Sequence, residues 1–182
     1  MKTTLLNFTK LFTALFLISL GFFSCNKDLS INFNTNLNQK KSIHIDQTAG
    51  TAVTFTESST IELENDDTRE YLDRIDAIES INSFTYQFQD FTGDAAGTVS
   101  FDIIVNGTVI EHQDNIIIKN ESDSATLFQI SDEAMLTKIA NGLLNDQEVT
   151  FEFSGTAQCD AAPMDFDMEI KMNIAVSANP LN

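Results

Sequence analysis

The sequence predicts a mainly β protein in which two antiparallel sheets stack as a β-sandwich of Greek-key or immunoglobulin-like type, connected by two short helices. Apolar and polar residues alternate along most of the chain after residue 28, which is the period of half-buried strands. The turn-forming pair Asn106-Gly107 separates two such runs. The βαβ rhythm of a parallel sheet and its Gly-rich nucleotide loops are both missing from the sequence. A partly closed barrel is the alternative that the pattern leaves open.

The alternating runs predict around nine short strands bounded by turn residues. Ten segments are candidates for these strands, and Ile116–Ile118 and Ala125–Ile130 are the shorter or more buried ones among them. In chain order the candidates are Leu29–Phe33, Ile43–Ile45, Val53–Phe55, Phe84–Phe88, Val99–Val105, Thr108–His112, Ile116–Ile118, Ala125–Ile130, Val149–Ala157 and Met164–Val176. The last two are predicted to pair as one long hairpin around a turn at Asp160–Pro163. Their strict alternation indicates one apolar face and one wet face.

Two segments between these runs have helical spacing. Ser131 is predicted to cap a helix from Asp132 to Leu144, because its apolar residues fall three and four positions apart. A second helix is predicted over Thr68–Ala77, with Leu72 and Ile75 turned inward.

The N-terminus has the pattern of an export signal. Lys2 and Lys10 are followed by the uncharged run Leu11–Phe23 and then by the polar residues 26–28. Because about 20 apolar residues are needed to span a bilayer, this run fits a cleaved signal peptide better than a retained anchor helix.

The run ends in Phe22-Phe23-Ser24-Cys25, and here the chain resembles bacterial lipoproteins, in particular those of the Bacteroidota. Ser24 and Cys25 match the small residue and the lipidated cysteine of that family, and Phe22 stands where Leu is usual. The resemblance covers residues 1–28. It implies that residues 1–24 are removed, that Cys25 is acylated, and that the protein is attached to the outer membrane, on its periplasmic face or at the cell surface.

Residues 25–182 are therefore expected to form a single domain, with residues 25–30 as a short tether. The formal net charge of the whole chain is −17, and loss of Lys2 and Lys10 makes the mature part more acidic still. Such a charge repels nucleic-acid phosphates and anionic lipid headgroups. Membrane attachment is thus expected only through the lipid on Cys25, and an acylated Cys25 is not available to pair with Cys159.

Two acidic patterns are candidate Ca²⁺ sites. The densest cluster consists of Glu62, Glu64, Asp66 and Asp67, although it lacks the Asp-x-Asp-x-Asp-Gly order of a calcium loop. The alternative, which we favour, is that these acids compensate the dipole of the second helix and keep the domain soluble. Further along, Asp165, Asp167 and Glu169 lie on one face of the last strand, about 7 Å apart, and read best as a solvated face.

Other residue types give weaker indications. His44 and His112 occupy outward strand positions and are expected to be surface histidines, since a zinc site needs three or four convergent ligands. There is no Trp, which disfavours an aromatic platform for glycans, and Phe91 and Phe128 are the candidates for exposed rings.

These observations favour a non-enzymatic, lipid-anchored module with a structural, accessory or protein-binding role and an envelope protein as partner. The alternative is a binder of glycan, lipid or Ca²⁺. A hydrolase ranks last because no nucleophile motif is present, and no cofactor is expected.

Overall fold

The computed structural model describes residues 30–46, 50–93, 96–119, 127–159 and 163–180. Within these ranges the chain forms eight strands, one α-helix and one 3₁₀-helix, so the mainly β prediction is confirmed. The elements are β1 (Ile31–Ile45), β2 (Val53–Glu62), a 3₁₀-helix (Leu72–Arg74), β3 (Ile75–Thr92), β4 (Ala96–Val105), β5 (Thr108–Lys119), β6 (Phe128–Gln129), α1 (Glu133–Asp146), β7 (Glu148–Gln158) and β8 (Met164–Ala178). No helix of the described ranges is long and apolar enough to cross a membrane.

The strands form two four-stranded sheets, sheet 1 in the order β1-β8-β3-β6 and sheet 2 in the order β2-β7-β4-β5. Strand β1 pairs with β8, β2 with β7, β3 with β6 and β4 with β5, all antiparallel. The chain thus folds as one long antiparallel ribbon of four strand pairs, in which β1–β8 and β3–β6 lie in sheet 1 and β2–β7 and β4–β5 lie in sheet 2. Pairing of β3 with β8 joins the two pairs of sheet 1, and pairing of β4 with β7 joins the two pairs of sheet 2. This double Greek key is a jelly roll. It confirms the Greek-key sandwich and excludes the immunoglobulin-like arrangement.

The ribbon folds back at Asn106-Gly107, where both residues have positive φ, 50° and 71°. That is the type I′ geometry predicted for this pair. The predicted hairpin of the last two strands is wrong, because β7 and β8 lie in different sheets. Alternation shows which face of each strand is buried, and it does not show which strand lies beside it.

Aromatic rings from both sheets fill the space between them. Phe84 of sheet 1 meets Phe151 of sheet 2 edge-on, with ring centroids 5.6 Å apart. Tyr86 is fully buried, and its hydroxyl donates to Glu111 Oε1 at 3.1 Å, so the one polar atom of this ring has a partner. Burial, together with the charge of Glu111, raises the pKa of Tyr86. Phe91, expected as an exposed ring, is only 4 % exposed.

Strand β1 is a single strand of 15 residues, and the two short strands predicted at its ends are joined. Its middle obscures the alternation because polar residues also occupy inward positions, among them Thr35, Gln39 and Lys41. Such residues are tolerated there because β1 is the edge of sheet 1.

Helix α1 lies between β6 and β7 in the chain and packs on β3 and β7. Its cap is Asp132 and not Ser131: Asp132 Oδ1 accepts from the backbone N–H groups of Ala134 at 2.9 Å and Met135 at 3.0 Å. Ile139 and Leu143 are fully buried, as their spacing predicted.

The helix predicted over Thr68–Ala77 is wrong. Turns lead into the short 3₁₀-helix, and residues 75–77 already belong to β3. Asn65 Oδ1 accepts from the backbone N–H groups of Asp67 and Thr68, and Thr68 Oγ1 donates to the Leu63 carbonyl at 2.5 Å. These side-chain bonds take the place of helical backbone bonds and fix a tight turn instead.

Candidate binding face

Along residues 36–44 of β1, 165–173 of β8 and 83–92 of β3, the outward side of sheet 1 carries hydrogen-bonding side chains from all three long strands. Because β1 and β8 alternate with period two and pair in register, Lys40 faces Glu169, Ser42 faces Asp167 and His44 faces Asp165. On the other side of β8, residues of β3 complete each row. We call this set the polar face; its members are Asn36, Asn38, Lys40, Ser42 and His44 of β1, Asp165, Asp167, Glu169, Lys171 and Asn173 of β8, and Ser83, Thr85, Gln87, Gln89 and Thr92 of β3.

The centre of the polar face is Glu169. Its Oε2 atom accepts from Gln87 Nε2 at 2.6 Å and Gln89 Nε2 at 2.7 Å, and it forms an ion pair with Lys171 Nζ at 2.8 Å. The hydrogen bond from Lys171, with help from Gln87, outweighs the effect of burial and holds the pKa of Glu169 below its usual value. This carboxylate therefore ties β3 to β8.

Lys40 links β1 to β8 in the next part of the face. Its Nζ atom lies 2.6 Å from Asp167 Oδ2 and 2.6 Å from Asp90 Oδ2. The hydrogen bonds to Asp167 and then Asp90 raise the pKa of Lys40. Burial by itself raises the pKa of Asp167, but the hydrogen bonds from Lys40 and Ser42 exceed it, so the net shift is downward.

Amides connect the strands at one end of the polar face. Asn173 Nδ2 donates to Asn36 Oδ1 on β1 at 2.8 Å, and Asn82 Nδ2 on β3 donates to Asn173 Oδ1 at the same distance. A chain of three amides thus crosses all three strands.

Both histidines are exposed, as predicted, and each lies between two aspartates. His44 Nδ1 is 2.5 Å from Asp165 Oδ1 at the far end of the polar face. His112 lies on sheet 2, with Nδ1 2.7 Å from Asp102 Oδ1. The hydrogen bond to Asp165 raises the pKa of His44, and those to Asp102 and Asp114 raise the pKa of His112.

The acidic loop, residues 62–67, does not gather its carboxylates. Glu64 and Asp66 are paired with Arg69, at 3.0 Å and 3.5 Å. Asp67 accepts from Thr35 Oγ1 at 2.9 Å, and Glu62 is exposed at the end of β2. In the described ranges no group of three or more His, Cys, Asp or Glu side chains is placed to hold a metal ion. These acids also do not begin an α-helix, so the dipole interpretation is wrong.

Only one of the two cysteines, Cys159, belongs to the described residues. Cys25 lies outside the described residues. Cys159 is buried just after β7, and its carbonyl accepts from the Gly50 N–H at 3.1 Å.

Of the polar face, the sequence analysis considered only the row Asp165, Asp167 and Glu169 as a possible site. It predicted the strand Phe84–Phe88 and the outward position of His44, but it did not connect them with that row. The alternation of Gln87 and Gln89 with buried aromatic residues was an available signal for β3. Nothing local marks Lys40 or Asn82, since their roles depend on strands far away in the sequence.

No family model matches the chain, and no curated protein matches it. Solved structures that resemble it include the 60-mer BFDV capsid protein, with a TM-score of 0.43 and 8 % identity over 84 % of this chain and 97 % of that one. The Desmodium yellow mottle tymovirus structure has a TM-score of 0.35 and 13 % identity over 82 % of this chain and 85 % of that one. The VP2 subviral particle of infectious bursal disease virus has a TM-score of 0.30 and 10 % identity over 84 % of this chain and 38 % of that one. Likenesses this remote carry no argument about function.

Proposed function

We propose that the protein is a non-enzymatic, lipid-anchored module of the outer membrane, and that it binds a protein partner of the cell envelope through the polar face. The tether is the acyl group on Cys25. Its support is the signal-peptide pattern and the match of Ser24-Cys25 to bacterial lipoproteins.

The observation that carries the binding role is the charge balance of the polar face. The whole chain has a net charge of −17, yet on this face Lys40 and Lys171 are interleaved with the carboxylates of β8 at 2.6 to 2.8 Å. A partner that docks here meets paired charges, whereas most of the remaining surface repels acidic proteins.

The polar face is also ordered before any partner arrives. Glu169 and Lys40 hold side chains of three strands in fixed geometry. Immobilising a long side chain on association costs roughly 0.5–1.5 kcal/mol, and a face that is already ordered avoids part of that cost. An interface of this kind is polar, hydrogen-bonded and hydrated.

The binding role is tested with a photo-crosslinking amino acid placed in the full-length protein in its native envelope. Thr85 lies at the middle of the polar face, and Ser154 is the matched control at the middle of the outer face of sheet 2. We expect a discrete protein adduct from position 85 and none from position 154. Equal adducts from both positions, or none from position 85, would contradict the proposal.

The tether is tested by metabolic labelling with palmitate. Wild type and Cys159→Ala are expected to be labelled, and Cys25→Ala is not. Equal labelling of all three proteins would refute acylation at Cys25 while leaving the binding test unaffected.

A further inference from the structure

A cleft of about 470 Å³ lies where the edge strands of the two sheets, β1 and β2, run side by side. We propose that this cleft binds an uncharged saccharide of one or two sugar rings, a role additional to the function proposed above. Its volume falls in the range of small-molecule sites, roughly 300–1,000 Å³. The described residues that line it are Asn36, Leu37, Asn38, Gln39, Thr60, Ile61, Glu62, Glu64 and Asn65.

The lining has the chemistry of a site for hydroxyl groups. It offers amide N–H donors together with amide and carboxylate acceptors, and a hydroxyl group both donates and accepts. Leu37 and Ile61 lie beneath the cleft but are only 3 % and 2 % exposed, so the surface that a ligand meets is mainly polar. A small neutral ligand rich in hydroxyl groups matches such a lining.

The charge of the cleft favours a neutral ligand. None of the described residues that line it is Lys, Arg or His, and Lys41 at one end is already paired with Glu57 at 2.8 Å, so an anionic ligand finds no unpaired counter-charge. Glu64 is already paired with Arg69 at 3.0 Å. Glu62 is then the one unpaired carboxylate among the described lining residues, and because it is exposed, water and salt screen its attraction for a cation.

Three lining side chains are available to a ligand. Asn38, Gln39 and Glu62 make no side-chain hydrogen bond to any residue that the structure describes. By contrast, Asn65 is fully used in the turn that follows β2. A ligand can therefore bond to the first three without breaking an internal contact.

Main-chain groups of both edges also face the cleft. Leu63 N–H donates to the Gln147 carbonyl, which continues the β2–β7 ladder, so the alternate residues Thr60 and Glu62 direct their backbone groups away from β7. The Asn36 carbonyl accepts from Asn65 Nδ2 at 3.3 Å, which places the backbone of Asn36, and by the same alternation that of Asn38, on the open side of β1.

Both ends of the cleft are closed, which favours a compact ligand over an added peptide strand. At one end Asn65 bonds to Thr35 and Asn36, and at the other Lys41 Nζ lies 2.8 Å from Glu57 Oε2. The five residue steps from Asn36 to Lys41 span about 17 Å. A typical strand of five or six residues needs about that whole length and would have no room to enter or leave.

The test is titration of the isotope-labelled full-length protein in detergent with neutral disaccharides (maltose, cellobiose and lactose), followed by amide resonances in NMR. Digalacturonic acid serves as the anionic probe, diglucosamine as the cationic probe, and a six-residue extended peptide as the competitor. We expect at least one neutral disaccharide to shift the side-chain amide signals of Asn38 and Gln39, with a Kd of about 1 mM or tighter.

Gln39→Ala and Glu62→Ala are each expected to weaken that affinity about tenfold, as loss of a hydrogen bond predicts. Asn34→Ala, on the same strand outside the cleft, is the control that leaves it unchanged, and all three variants are expected to melt like wild type. Absence of shifts with every neutral disaccharide overturns the proposal. So does tighter binding of a charged probe or of the peptide, or equal affinity in all variants. None of these results bears on the crosslink from position 85.

Discussion

Gly155 of β7 is predicted to be a position where adding a single methyl group destabilises the fold. It pairs with Phe55 of β2 on one side and Phe101 of β4 on the other. A Cβ atom at Gly155 would lie 2.8 Å from both Cα and Cβ of Phe101 and would clash with the carbonyl oxygen of Ser100. Because the Ser100 oxygen and Phe101 Cα belong to the neighbouring backbone and Phe101 Cβ is bonded directly to it, rotation of a side chain cannot relieve these contacts.

The size of the effect follows from two opposing contributions. Gly→Ala within a strand is ordinarily stabilising by about 0.5–1 kcal/mol, because glycine loses more conformational freedom on folding. Overpacking costs typically 1–3 kcal/mol, and because the clash at Gly155 is with backbone, we take its cost as about 3 kcal/mol. Gly155→Ala is therefore expected to lower the free energy of unfolding by about 2 kcal/mol, or Tm by about 4–8 °C for a domain of this size.

The measurement is urea unfolding followed by circular dichroism. The matched control is Gly142→Ala in α1, where an added Cβ would meet only a methyl group of Val149, at 2.8 Å. There the gain in helix propensity, about 1 kcal/mol, offsets a contact that a side-chain shift can relieve. If Gly155→Ala is as stable as wild type, the close approach of β7 to β4 is wrong.

Four further predictions follow from particular contacts. Asp132→Ala should lower the free energy of unfolding by about 1 kcal/mol, whereas Ser131→Ala should not change it, because only the Asp132 side chain caps α1. If urea unfolding instead shows that Ser131→Ala is the destabilising change, Ser131 is the cap, as the sequence predicted. Ser59→Ala should leave stability equal or higher by up to about 1 kcal/mol, because the buried Ser59 Oγ has no hydrogen-bond partner within the described chain; a loss of stability in the same assay would reveal one. The raised pKa of His44 adds stability that is complete below pH 6.5 and is lost as pH rises through the higher folded-state value, whereas the lowered pKa of Asp167 adds stability that is complete above 3.8 and is lost as pH falls. Melts across pH should show both losses, and His44→Asn should reduce only the one at higher pH. Millimolar Ca²⁺ should not raise Tm, since the acidic loop is paired with Arg69 and Thr35; a clear rise would establish a calcium site there.

The parts of the fold that were predicted correctly depend on local patterns. The buried positions Phe84, Tyr86 and Phe88, and the whole inward row of β8, follow from alternation alone. The turn at Asn106-Gly107 follows from the tolerance of these two residues for positive φ. Both signals lie within a few residues of the feature that they predict.

The errors have a common physical origin in competition between local and distant contacts. Residues 68–77 have helical spacing, yet Asn65 and Thr68 supply side-chain bonds that hold a turn, and β8 offers pairing partners to residues 75–77. The polar middle of β1 has no clear alternation, yet its full length pairs with β8. In each case a partner remote in sequence decides between conformations of similar local energy.

The sequence by itself determined that this is an acidic, mainly β chain and which side chains of its strongest strands are buried. It is also the source of our prediction of an export signal that ends before Cys25. Only the tertiary structure decided that β7 and β8 separate into two sheets, that Lys40 and Glu169 join three strands into the polar face, and that β1 and β2 enclose a cleft. The reason is that strand alternation is written in each segment, whereas pairing is made by backbone groups that are alike in every strand. Which strands pair is therefore decided by packing of the whole sandwich, and the candidate binding surfaces are products of that pairing.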